Sequence, residues 1–100
     1  MKRGLHKITL EEKRKIVGIV ERFYSDLQTE FTYVKGELAC VYFQPDEKTS
    51  ITIDLRSYKL LIYGSEGNSK FSIKSIIASD DFFVIETPSI KVVFGEINFS

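Results

Sequence analysis

The residue types able to carry chemistry are sparse in this chain and poorly spaced for it. Histidine occurs once, at His6, and cysteine once, at Cys40. A histidine-based triad would have to draw on His6, which lies in a basic arm over residues 1–7. Cys40 stands between Ala39 and Val41, the neighbours of an apolar strand, so a buried structural thiol is expected there rather than a nucleophile. One histidine and one cysteine cannot assemble a structural zinc site. A lone cysteine also forms no internal disulfide and fits a reducing compartment.

The carboxylates are the remaining catalytic material. Asp80 and Asp81 are adjacent inside a turn, where aspartate is common because its side chain caps turns. Asp54 and Arg56 fall on one strand face and are expected to form a surface ion pair. The chain has no GxGxxG, no P-loop and no DxDxDG loop. Gly64-Ser65-Glu66-Gly67-Asn68 carries glycines, but no helix follows to aim its amides at a phosphate. No enzymatic activity, no metal and no cofactor is therefore expected.

Binding is the alternative to catalysis, and three forms of it have residues to point to. Protein interaction or self-association is the leading expectation. Ile76-Ile77, Phe82-Phe83 and Val92-Val93 place apolar side chains on both faces of their strands, because neighbours along a strand point opposite ways. A second apolar face asks for a cover, by curling of the sheet or by another chain. The last strand would also be an edge, with Lys91 its one deterrent charge. Tyr58, Tyr63, Ile90, Val92 and Phe94 are the expected partner-binding residues.

Nucleic-acid binding is the second form. Lys2, Arg3 and Lys7 in the arm and Arg14 nearby, between Lys13 and Lys15, could follow a phosphate backbone, and Tyr33, Tyr58 and Tyr63 could offer stacking faces. A formal net charge of zero argues against a polyanion partner for the whole domain. Residues 1–45 hold eight Lys/Arg against six Asp/Glu and residues 46–100 six against eight, an asymmetry too small to change that. The third form is a small ligand held between helix and sheet beside Phe23, Phe71 and Phe94, although side chains should fill most of that space in so short a chain.

These residues must be positioned by one helix and a run of strands. Over 9–28, Ile16, Val17, Ile19, Val20, Phe23, Tyr24 and Leu27 recur at three- and four-residue steps, the stripe of an amphipathic helix. Thr9-Leu10-Glu11-Glu12 fits a capping box, and both glutamates suit the positive end of the helix dipole. Gly18 inside the helix costs up to ~1 kcal/mol against alanine and suggests close approach to a strand.

Beyond residue 30 the pattern is strand and turn. Lys35-Gly36 is either a tight hairpin turn or a bulge, and either explains the parity change from Phe31 and Tyr33 to Val34, Leu38, Cys40 and Tyr42. Gln44-Pro45-Asp46-Glu47-Lys48 reads as a turn, Ile51-Thr52-Ile53-Asp54-Leu55 as a half-buried strand, and 58–63 as another. A turn over 65–69 leads to a strand over 71–78, a hairpin through Ser79-Asp80-Asp81 to 82–86, and a last strand over 90–99 after Thr87-Pro88-Ser89.

Connections this short force antiparallel neighbours. The expected fold is α+β: one N-terminal amphipathic helix on a curled five- or six-stranded antiparallel meander. Residues 1–7 form a flexible basic arm and residues 8–100 a single domain. The apolar and charged fractions, 43% and 28%, are those of an ordinary soluble domain, and no apolar run reaches the ~20 residues that span a bilayer. Charge without an apolar segment behind it marks no secretory signal at the start, so the expected location is cytoplasmic, with no membrane partner.

Overall fold

The computed structural model describes residues 8–96. The basic arm with Lys2, Arg3, His6 and Lys7, and the end of the expected last strand at 97–100, lie outside the described residues.

Helix α1 (Leu10–Phe23) begins where its capping box dictates. The Glu12 amide donates to Thr9 Oγ1 at 3.1 Å and the Thr9 amide to Glu12 Oε1 at 3.0 Å. Two of the donors that a helix start leaves orphaned are thereby satisfied. The helix stops five residues short of the periodic pattern's end at 28. Tyr24 leaves helical geometry as the C-cap, its amide still donating to the Val20 carbonyl at 2.9 Å, while its side chain turns into the core. Leu27 consequently lies in the following loop, 36% exposed, outside the buried stripe of Ile16, Ile19 and Val20.

Among the described residues eight strands follow, in two antiparallel sheets. The first sheet is β1 (Thr29–Val34), β2 (Glu37–Asp46), β3 (Thr49–Asp54), β4 (Lys59–Gly64) and β5 (Gly67–Ser72), in that order. The second is β6 (Ser75–Ala78), β7 (Phe82–Glu86) and β8 (Lys91–Gly95). The α+β class and the helix on antiparallel strands are as expected, with more strands than five or six and a division between two sheets.

That division falls inside the stretch 71–78, expected as one strand. The Ile73 amide donates to the Tyr58 carbonyl at 3.0 Å, extending the β4–β5 ladder, and the next amide, Lys74, donates to Glu86 at 2.7 Å, opening the β6–β7 ladder. The chain bends at Lys74 between β5 and β6, so consecutive amides serve two different neighbours and the chain passes from one sheet to the other.

At Lys35-Gly36 the structure has the hairpin turn and not a bulge in one long strand. Lys35 at φ 53° and Gly36 at φ 82° make the two-residue turn of a β1–β2 hairpin, and a bulge lies three residues further on. Thr32 pairs with Cys40 and Tyr33 with Leu38, leaving Ala39 as the extra residue, so Leu38 and Ala39 are both buried although adjacent. Pro45 belongs to β2 rather than to a turn: the β2–β3 register skips from Phe43 to Asp46, a bulge that spares a ladder the missing amide. The turn expected over 65–69 shrinks to Ser65-Glu66, with Gly67 already paired to Gly64. Gly18 marks no close approach, because a Cβ there would meet nothing within 4 Å.

One core joins helix and sheets: Ile16, Ile19 and Val20 from α1, Val41, Phe43, Ile53 and Leu60 from the larger sheet, and Ile76, Phe83 and Ile85 from the smaller. The seam is aromatic. Tyr24 lies 4.9 Å from Phe43 between ring centroids, and Phe94 lies 5.2 Å from Phe43 and 5.3 Å from Phe83. These are the offset and edge-on separations that aromatic pairs favour.

Candidate interaction surfaces

The residues with chemical potential are placed in structural roles. Asp80 and Asp81 face α1: Lys15 Nζ lies 3.6 Å from Asp80 Oδ1, and Arg22 Nη2 lies 2.9 Å from Asp81 Oδ1 and donates to the Asp80 carbonyl at 3.1 Å. The β6–β7 turn is thus tied to the helix by exposed ion pairs, each contributing at most ~1 kcal/mol.

Asp54 forms no ion pair with Arg56 among the described residues. Its Oδ1 instead accepts the Arg56 amide at 3.0 Å and the Ser57 amide at 3.1 Å, closing the β3–β4 turn. Burial acts to raise its pKa, but the Ser57 and Arg56 hydrogen bonds and the Arg56 charge together outweigh it and hold the carboxyl below its ordinary value. Cys40 is half-buried, on the face of β2 away from the core, paired with Asp54. Burial first, then the Asp54 and Glu30 carboxylates, push its thiol up against a smaller opposing hydrogen bond from Val41. A raised pKa keeps the sulfur protonated and a poor nucleophile.

Among the described residues strand β8 is an edge, pairing only with β7. The Thr87 amide donates to Ile90 at 2.8 Å and the Glu96 amide to Asp81 at 2.9 Å, so the hydrogen-bonded pairs between those two are Ile85 with Val92 and Phe83 with Phe94. Lys91, Val93 and Gly95 therefore turn their amides and carbonyls outward. The outward edge is partly occupied: the Gly95 amide donates to the Tyr24 hydroxyl at 2.8 Å.

The register also relocates the expected partner-binding residues. Phe94 is 8% exposed within the aromatic seam, and Val92 packs against the core. Their side chains lie on the core side of β8, and their amides and carbonyls point toward β7. Ile90 is half-buried at the β7–β8 turn, where its amide donates to Thr87 Oγ1 at 2.9 Å. Tyr58 is half-buried at the β3–β4 turn with φ 60° and packs against the core. Burial first, then the Glu12 carboxylate, raise its phenol pKa. Tyr63, 37% exposed, lies toward the far end of β4 between Ser50 and Asn68. The five do not form one surface.

What does form one is the row beside them. Ile77 pairs with Val84 and Val84 with Val93, straight across the smaller sheet on the face away from the core. Ile77 is 57% and Val93 42% exposed. Ser75, Glu86 and Lys91 make the next row, while α1 and Phe43 of the larger sheet pack on the other face of this sheet. The outer face of the larger sheet is more polar: Thr32, Cys40, Asp54, Lys59 and Ser72 cross it in one row, and Glu30, Tyr42, Thr52, Leu61 and Lys70 in the next. The doublets Ile76-Ile77 and Val92-Val93 announced the apolar row in sequence; which member faces outward needed the register.

A second surface lies at the other end of the helix. Two adjoining depressions, of ≈ 510 and ≈ 270 Å³, share Lys13 and Leu38 and run between α1, the β1–β2 hairpin and the β3–β4 turn. Arg14, named in sequence as a nucleic-acid contact, lines the smaller one beside the exposed Tyr33. Lys35 and Arg56 line the larger. No sequence signal joined these cations, which come from three separate elements.

Among the described residues no cluster of three or more metal-ligating side chains occurs and no helix is long and apolar enough to cross a membrane. No family model, curated protein or solved structure matches this chain.

Proposed function

We infer that this protein acts by binding rather than by catalysis, as a protein-interaction module that docks the outer face of its three-stranded sheet on a second copy of itself. The observation that carries this reading is the Ile77–Val84–Val93 row, apolar across every strand of the sheet, with Ile77 and Val93 exposed and Val84 half-buried between them. An exposed contiguous apolar row loses free energy when covered, at roughly 25 cal/mol per Å² removed from water.

Charge points to a second copy as the cover. Glu86 and Lys91 are cross-strand neighbours in the adjoining row, so a two-fold axis running between β7 and β8 would set each opposite its complement. A formal net charge of zero leaves no long-range repulsion between copies. Cys40 as a free thiol accords with a cytoplasmic setting.

Multi-angle light scattering on the full chain at about 0.1 mM tests the reading. A dimer mass, returned to monomer by Val93→Lys, is expected. A strict monomer at that concentration, or a dimer indifferent to Val93→Lys, would contradict it. Val93 is solvent-facing, so the fold should tolerate the lysine.

A further inference from the structure

The cleft between the N-terminal half of α1 and the β1–β2 hairpin differs from the sheet face in both charge and shape. Four cations surround it: Lys13 and Arg14 from the helix, Lys35 from the hairpin turn and Arg56 from the β3–β4 turn, with Glu37 the one carboxylate among its lining residues. Among the described residues none of the four forms a salt bridge, whereas Lys15 and Arg22 on the same helix do. Between the cations lies apolar surface from Leu10, Val17, Tyr33 and Leu38, with Leu10 60% and Tyr33 55% exposed.

Irregular backbone concentrates here as well. Lys35 lines the cleft, Tyr58 ends the turn that contains Arg56, and these are the positive-φ residues other than glycine among the described residues. The bulge at Ala39 also borders it. Bulges and strained turns often re-aim side chains at binding sites, and here they bring Leu38 and Ala39 together as floor and set Lys35 on the rim.

We propose that this cleft is a second docking site, which takes an acidic segment of another protein anchored by apolar side chains. Unpaired cations around an apolar floor complement alternating carboxylates and aliphatic groups. A nucleic-acid strand would use the cations and leave the aliphatic floor without a function, since bases need aromatic platforms and the cleft offers Tyr33 alone. Lys2, Arg3 and Lys7 carry the same sign as the cleft cations. The site stands apart from the self-association face and does not depend on it.

Fluorescence anisotropy on the full chain tests this with three labelled probes at ~50 mM salt: an Asp/Glu-rich peptide of about 12 residues with two leucines, its twin with serine in place of leucine, and an oligothymidylate of about 12 nucleotides. The leucine peptide should bind, and its twin about tenfold more weakly or worse. Arg14→Glu with Lys35→Glu, both at exposed positions, should weaken the leucine peptide at least tenfold, and Leu10→Ser several-fold, while Val93→Lys leaves it unchanged. Absence of peptide binding, equal binding of the twins, undiminished binding by the charge-reversed variant, or tighter binding of the oligothymidylate would each overturn the proposal.

Discussion

The hydroxyl of Tyr24, at the C-cap of the helix, accepts the backbone amide of Gly95 on the edge of β8 at 2.8 Å. One side chain thus fixes the helix end to the smaller sheet, stacks on Phe43 of the larger one and occupies an amide that an intruding strand would otherwise use. Edge strands left bare are templates for unwanted pairing, so this bond bears on solubility as much as on stability.

Tyr24→Phe keeps the ring and removes only that acceptor. Urea unfolding should show a loss of about 0.5–1.5 kcal/mol. Light scattering should show more high-mass species than in the parent chain, because the β8 edge is then open along its length. An unchanged midpoint would mean that water replaces the hydroxyl without cost.

Gly95 and Gly18 should respond to alanine in opposite directions. Gly95 has φ +109°, and a Cβ there would collide with the Asp81 carbonyl and approach Phe82 Cα to 2.7 Å. Both contacts are backbone and cannot swing away, so Gly95→Ala should cost about 2–3 kcal/mol or more. Gly18 is in the helix with open space around it, and Gly18→Ala should add up to ~1 kcal/mol. Thermal unfolding of the pair, side by side, checks both signs.

The β1–β2 hairpin offers a gain by turn chemistry. Lys35 holds φ 53° before Gly36 at φ 82°, the geometry in which Asn-Gly is preferred. Lys35→Asn should stabilise the fold by about 0.5–1 kcal/mol, since asparagine occupies the left-handed region with less strain. The same change removes a cation from the cleft, so stability and acidic-peptide affinity should move in opposite directions.

Much of this architecture could be read from residue order. Thr9 and Glu12 marked the helix start, the alternation at Ile51 and Ile53 marked β3, and the doublets Ile77 and Val93 belong to marked a second apolar face. Where local pattern stopped sufficing, a distant partner had decided the outcome. Tyr24 leaves the helix for Gly95, seventy-one residues away. Ile73 and Lys74 look like the middle of one strand, and only Tyr58 and Glu86 reveal two sheets there. Phe94 reads as an edge residue and is buried because Tyr24, Phe43 and Phe83 surround it. The cleft cations are scattered along the chain, and no spacing rule unites them.

The β3–β4 turn makes stability depend on pH through Asp54. Its carboxyl is held below the ordinary aspartate value by the Ser57 and Arg56 hydrogen bonds acting against burial, so the contribution is fully present above the unfolded value and lost as pH falls through the folded one. Asp54→Ala should therefore lose on the order of 1 kcal/mol at neutral pH, and that difference should shrink toward zero in acid. Parallel urea titrations down the pH scale check it; a constant difference would assign the turn's stability to packing instead.

The most direct test of self-association through the smaller sheet is a dilution series followed by methyl NMR, from about 1 mM to about 10 µM. The Ile77, Val84 and Val93 methyls should shift together with concentration, while Ile16 and Ile53 in the core stay fixed. Concentration-independent shifts at those three positions, or concentration-dependent shifts confined to the five-stranded sheet or the cleft, would contradict the assignment of that face to a second copy.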